Sequence, residues 1–141
     1  MRTLGIDFGE KRIGLALSDR DGRFALPYRT ILRKSDSEAI ALLETIVREE
    51  EVEALAFGEP RRPADGAPTA GSRRARAFGE RLAAATALPI AWVDESLTSS
   101  EAEARLAEAG VPHARRAERR DQIAAQIVLE EALARRRGEA R

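Results

Sequence analysis

Residues 3–18 follow a strict alternation. Leu4, Ile6 and Phe8 are interleaved with Thr3, Gly5 and Asp7; after Gly9-Glu10-Lys11, Ile13, Leu15 and Leu17 are interleaved with Gly14, Ala16 and Ser18. A period of two belongs to strands with unlike faces, and so short a connection makes the two strands a hairpin. One face is wholly apolar and needs a core against it. The other is built from small residues around one carboxylate. A carboxylate near the middle of a core strand is costly unless something pairs with it. Asp7 is therefore the first candidate for a functional role.

The rest of the chain completes an α/β pattern. A turn at Asp21-Gly22 leads to a third antiparallel strand expected over residues 24–32, which Pro27 confines to a sheet edge or a bulge. Ser35-Asp36-Ser37-Glu38 has the form of a capping box and opens a helix with the stripe Ala39, Leu42, Leu43, Ile46 and Val47. Residues 52–57 suit a strand buried on both faces, stopped by Gly58-Glu59-Pro60. Residues 60–71 show no periodicity and read as a loop of the length at which loops carry function or disorder. A helix with the stripe Ala75, Phe78, Leu82 and Ala85 follows, then a strand over 88–93 that ends in Asp94-Glu95. Thr98-Ser99-Ser100-Glu101 is a second capping box, for a helix that stops at Gly110-Val111-Pro112. After a polar connector over 113–120, the last helix runs from about Glu118 to Arg137. The order predicts a mixed sheet with helices on both faces, within one domain spanning 1–141.

Composition narrows the chemistry. With no cysteine, disulfides and thiolate metal sites are excluded. The 24 Lys and Arg balance the 24 Asp and Glu, so net charge makes no case for a nucleic-acid or membrane partner. Distribution says more than the sum: arginines gather at Arg61, Arg62, Arg73, Arg74 and Arg76, and again at Arg115, Arg116, Arg119 and Arg120. Most of that set reads as solvated surface, while the loop arginines keep phosphate contact open. The start of the chain lacks a basic segment followed by an apolar run, and nothing approaches a membrane span. A soluble, cytoplasmic protein is the expectation.

Three acids stand in unusual places. Asp7 lies in the first strand, Glu95 (with Asp94) at the carboxyl end of the last strand, and Asp121 one turn into the last helix. Asp121 is in line with Ala125, Val128 and Ala132, a small-residue face suited to lying close on a sheet and bringing Asp121 towards Asp7. Converging acids without basic partners repel one another, and divalent cations relieve that repulsion. A set with neither thiol nor imidazole favours Mg²⁺ or Mn²⁺, and two such ions roughly 3.5–4 Å apart suit phosphodiester hydrolysis. Taken singly, each acid also has an ordinary explanation: a turn-flanking charge for Asp7, a turn residue for Glu95, a helix-start charge for Asp121. The lone His113 reads as surface.

The motifs add a resemblance. Gly5-Ile6-Asp7-Phe8-Gly9-Glu10-Lys11-Arg12-Ile13-Gly14-Leu15-Ala16 with Ser18-Asp19, then Gly58-x-Pro60 with Asp65-Gly66, then Asp94-Glu95-Ser96-Leu97-Thr98-Ser99, then Asp121-Gln122-Ile123-Ala124-Ala125 occur in order. Together they resemble the YqgF (RuvX-like) family, over residues 4–133. The resemblance implies an RNase H-like fold, a five-stranded mixed sheet flanked by helices. It implies a nuclease with Asp7, Glu95 and Asp121 as catalytic and metal-binding acids, and Mg²⁺ or Mn²⁺, with two ions suspected, as the cofactor. The implied partner is structured RNA, in 5′-end processing of pre-16S rRNA, or else branched DNA as a Holliday-junction resolvase; no membrane is implied, and the protein is a monomer or a homodimer. Two positions depart from the family: Ser96 replaces its usual arginine, and Glu59 stands where leucine is common.

Lys11 and Arg12 on the hairpin turn, with Arg61, Arg62, Arg73 and Arg74 around the loop, are the candidate phosphate contacts. Few aromatic residues are present, so base stacking is poorly supported and backbone or shape recognition fits better. Two other readings compete. A binding module that kept the fold without efficient catalysis draws on Ser96 and the zero net charge. A sugar-kinase or actin-like ATPase shares the Gly-x-Asp-x-Gly turn, but those folds close two such domains around a nucleotide and this length serves one.

Overall fold

A computed structural model of the protein describes residues 1–60, 67–95 and 98–138, leaving aside the side chains of 98–100 and 113. The elements are β1 (Thr3–Phe8), β2 (Arg12–Ser18), β3 (Ala25–Leu32), α1 (Asp36–Glu49), β4 (Ala54–Glu59), α2 (Ala70–Thr86), β5 (Ile90–Asp94), α3 (Thr98–Glu108), a 3₁₀ turn (His113–Arg115) and α4 (Arg116–Arg136). The strands form one sheet in the order β3-β2-β1-β4-β5. β1, β2 and β3 pair antiparallel, whereas β4 lies parallel to both β1 and β5, so the sheet is mixed as expected. Pro27 falls where the proline argument put it. β3 is an edge strand, and its register with β2 slips between Leu15 and Ala16 so that Ala16 faces Pro27.

The two faces of the hairpin meet different partners. Leu4, Ile6, Ile13, Leu15 and Leu17 join Leu43 and Ile46 of α1 and Phe78 and Leu82 of α2 in one core. On the opposite face Ala16, Ala56 and Val93 meet Ala125, Val128, Leu129 and Ala132 of α4. Small residues on both sides let this helix lie close to the strands. A Cβ on Gly5 would meet the Ala125 carbonyl oxygen at 2.7 Å, and one on Gly14 would stand 2.8 Å from the Asp121 Cβ, in collision with its backbone. Polar bonds fix the same seat from the sheet's edge: Gln126 Nε2 donates to Ala25 O at 2.9 Å, and Thr30 Oγ1 to Glu118 O at 2.9 Å.

Several boundaries differ from the sequence reading, each for a local reason. β4 starts at Ala54 and runs through Gly58 and Glu59, because pairing with Val93 and Asp94 of β5 outweighs their poor strand preference. β5 accordingly runs from Ile90 to Asp94. The buried stripe of α2 continues from Leu82 towards the half-buried Thr86, leaving Ala85 exposed, and Gly79 joins that stripe by admitting the Trp92 ring. The Ser35 hydroxyl caps α1 by accepting from Glu38 N–H. α3 begins at Thr98 itself, so the proposed cap there falls on side chains outside those described. α4 starts at Arg116, which shortens the connector. No helix among the described residues is long and apolar enough to cross a membrane.

Candidate active site

Asp7 is the fifth residue of β1 and faces α4, closer to the strand's carboxyl end than its centre. Its two flanking strands present glycine. Gly14 of β2 is its antiparallel partner, and one step beyond the Ile6–Phe57 pair Gly58 of β4 lies on its other side. Each glycine leaves the space of a side chain, and each space is taken by another acidic residue. The backbone of Asp121 occupies the room over Gly14. Glu95 leaves β5 with its N–H donating to Glu59 O at 2.9 Å, and its carboxyl group lies over Gly58, where a Cβ would come within 2.7 Å of Cδ. Two empty glycine faces thus bring three acids from β1, the end of β5 and α4 around one point of the sheet.

The electrostatics follow from burial. Glu95 is pushed up to about 10, first by burial, then by its hydrogen bond to Asp7 and by the charges of Asp7 and Asp94. It keeps a proton at neutral pH and donates it to the Asp7 carboxylate. Asp7 is itself raised by burial, which the bond from Glu95 opposes and the charge of Asp121 reinforces. The third acid is neutralised differently. Arg12 Nε donates to Asp121 Oδ2 at 2.7 Å, with the Asp121 side chain 18% exposed and that of Arg12 40%. Asp121 pushes the Arg12 guanidinium above its ordinary range through that bond and its charge.

The acids were expected to converge without basic partners; Arg12 is such a partner, and that expectation is corrected. Arg12, read as a phosphate contact, donates through Nε to Asp121 in this structure. Parity carried the missed signal: Arg12 and Gly14 alternate with Ile13, so both lie on the face that bears Asp7. Among the described residues no three His, Asp or Glu side chains form a ready ligand set for one ion.

The remaining candidates divide. Lys11 and Arg73 are exposed. Arg74 reaches back to the hairpin turn and donates to Glu10 Oε1 at 2.6 Å, a contact between two exposed side chains that solvent weakens. Arg76 is structural: it donates to Glu59 at 2.9 Å and Glu80 at 3.3 Å, and lies 3.9 Å over the Trp92 ring. Arg115 is exposed, while Arg116 Nε donates to Val111 O at 3.0 Å. Arg61, Arg62, Asp65-Gly66 and Ser96 lie outside the described residues.

Comparison with known proteins places this arrangement. A family described as "RuvX: Holliday junction resolvase" matches residues 1–135. A Syntrophus aciditrophicus protein called "Putative pre-16S rRNA nuclease" is 39% identical over 133 residues, covering 94% of this chain and 88% of that protein. A Maridesulfovibrio salexigens protein of the same name is 42% identical over 135 residues, covering 96% and 99%. Among solved structures, "T. thermophilus RuvC in complex with Holliday junction substrate" superposes with a TM-score of 0.64 at 17% identity, over 100% of this chain and 98% of that one. The likeness shows a shared fold, the RNase H-like arrangement.

Proposed function

The chain belongs to the RuvX family, and from that premise we propose that it is a divalent-cation-dependent endonuclease that hydrolyses phosphodiester bonds of structured RNA, with the 5′ end of pre-16S rRNA as substrate. One observation carries the reading: three acids cluster on the sheet with only two positive stand-ins among them. A proton held between Glu95 and Asp7 serves two of them, and the Arg12 guanidinium serves the third. A buried carboxylate set that recruits a proton and a guanidinium is one whose charge calls for positive ions.

The donor set fits. Asp7, Glu95 and Asp121 offer only hard oxygen ligands, the preference of Mg²⁺ and Mn²⁺, and the bare faces of Gly14 and Gly58 let Asp121 and Glu95 come close to Asp7. A divalent cation bound there supplies Lewis-acid stabilisation of the charge that develops on a phosphate during hydrolysis. The chain's own part is positional. β1 fixes Asp7, Glu95 would hold an ion once its proton had passed to solvent, and the close seat of α4 keeps Asp121 beside them. Exposed Lys11 and Arg73, with Arg61 and Arg62, are the groups assigned to the nucleic-acid backbone.

Replacing Asp7 by Asn keeps the size of the side chain and removes its charge. Asp7→Asn is expected to reduce Mn²⁺-dependent cleavage of a labelled pre-16S rRNA fragment at least about a hundredfold, with the thermal unfolding profile retained. Cleavage at the wild-type rate rejects the assignment. The family's description favours a second substrate, branched DNA, and a four-way junction assayed beside the RNA decides between them.

A further inference from the structure

Arg12 opens β2 on the face that carries Gly14 and so stands beside α4, where its Nε reaches Asp121 Oδ2 across 109 positions of sequence. The guanidinium is on the solvent side of the pair, and Glu118, one turn earlier on α4, adds a second negative charge beside it. Among the described residues its terminal amino groups make no hydrogen bond. The side chain therefore holds its partner through one edge and has a planar fork to spare, the geometry suited to phosphate oxygens.

The geometry points to Arg12 as an exchangeable counter-ion, one that a divalent cation displaces from Asp121 and that then takes a backbone phosphate of the nucleic acid. This rests on the nuclease reading above. A guanidinium and a divalent ion on one partly buried carboxylate repel each other, which favours exchange over sharing. When the ion arrives, the more exposed and longer side chain is the one that moves. It starts from a short hairpin turn at the rim, so its release adds a cation where the polyanion approaches. Ion binding and nucleic-acid binding are thereby coupled, and linkage makes the coupling reciprocal. A fixed brace for Asp121 would have the opposite signature, because its loss would weaken ion binding.

The test titrates Mn²⁺ calorimetrically into the full chain without nucleic acid, for wild type, Arg12→Gln, Asp121→Asn, the double variant and Asp7→Asn. Arg12→Gln is expected to tighten Mn²⁺ binding about three- to fivefold when Asp121 is present and to change nothing on the Asp121→Asn background. Unchanged or weaker binding by Arg12→Gln overturns the exchange, and so does equal tightening on both backgrounds. A labelled RNA hairpin followed by anisotropy, checked intact on a gel, gives the second readout. Mn²⁺ should tighten hairpin binding to wild type and not to Arg12→Gln; an increment that survives in Arg12→Gln again overturns it. Mn²⁺ uptake by wild type that is lost in Asp7→Asn, with Arg12→Gln like wild type, removes the exchange alone. No uptake by wild type, or uptake unaffected in Asp7→Asn, brings down the cation site and the exchange with it.

Discussion

A carboxyl group that keeps its proton when folded and releases it when unfolded ties stability to pH. Glu95 is such a group, at about 10 in the folded chain against an ordinary value of 4.5. Between those values the unfolded chain binds fewer protons than the folded one, so stability falls as pH rises through this window. Asp7, also raised, acts in the same direction. Without divalent ions, wild-type stability is expected to drop from pH 5 to pH 9 by up to about 1 kcal/mol per pH unit relative to Glu95→Gln, whose amide still donates to Asp7. Denaturant midpoints measured in a chelating buffer check it; parallel curves for the two proteins would mean that Glu95 ionises as an ordinary surface acid does. At this scale Asp7 was legible in the sequence, because a carboxylate on a core strand is anomalous by itself, whereas Glu95 and Asp121 were singled out by the family's motifs. The Arg12–Asp121 pair was not, because it joins residues 109 positions apart and depends on where α4 lands.

The elements owe their arrangement to what is absent from two side chains. Gly14 accommodates the backbone of α4, whereas Gly58 accommodates only the Glu95 side chain, and the two substitutions should therefore behave differently. Gly14→Ala drives a methyl group into the α4 backbone, which cannot yield without lifting the helix, and should cost about 1–3 kcal/mol. Gly58→Ala meets a side chain able to turn aside, so its stability loss should be smaller, but the displaced Glu95 should carry most of the activity away. Urea unfolding and Mn²⁺-dependent cleavage, measured on both variants, separate the two effects; equal stability losses would contradict the geometry. The alternation of β1 and β2, the edge place forced by Pro27 and the small-residue line of α4 could all be read from sequence. The extension of β4 through Gly58 and Glu59 could not, since it is enforced by β5 and contradicts local preference.

Across the whole molecule, zero net charge is matched by arginines largely spent on the protein itself. Arg76 serves Glu59 and Trp92, Arg105 serves Glu130 at 2.9 Å, Arg120 serves Glu103, and Arg12 serves Asp121 in the absence of ions. If Lys11, Arg61, Arg62 and Arg73 are the phosphate-contacting set, as proposed, and Arg12 stays on Asp121 without divalent ions, the salt dependence of RNA binding should be shallow. A slope of about −3 in log K against log salt is expected, and one as steep as about −8 would require the paired arginines to turn outward as well. What the sequence determined alone is the kind of parts: period-two strands, helices with apolar stripes, an α/β order, and one carboxylate out of place on a core strand, all set by local spacing and side-chain chemistry. What only the tertiary structure decided is which charges face one another. Whether Glu95 shares its proton with Asp7, and whether Asp121 answers to Arg12, depends on helix and strands closing to backbone contact over glycine, a distance that no sequence interval encodes.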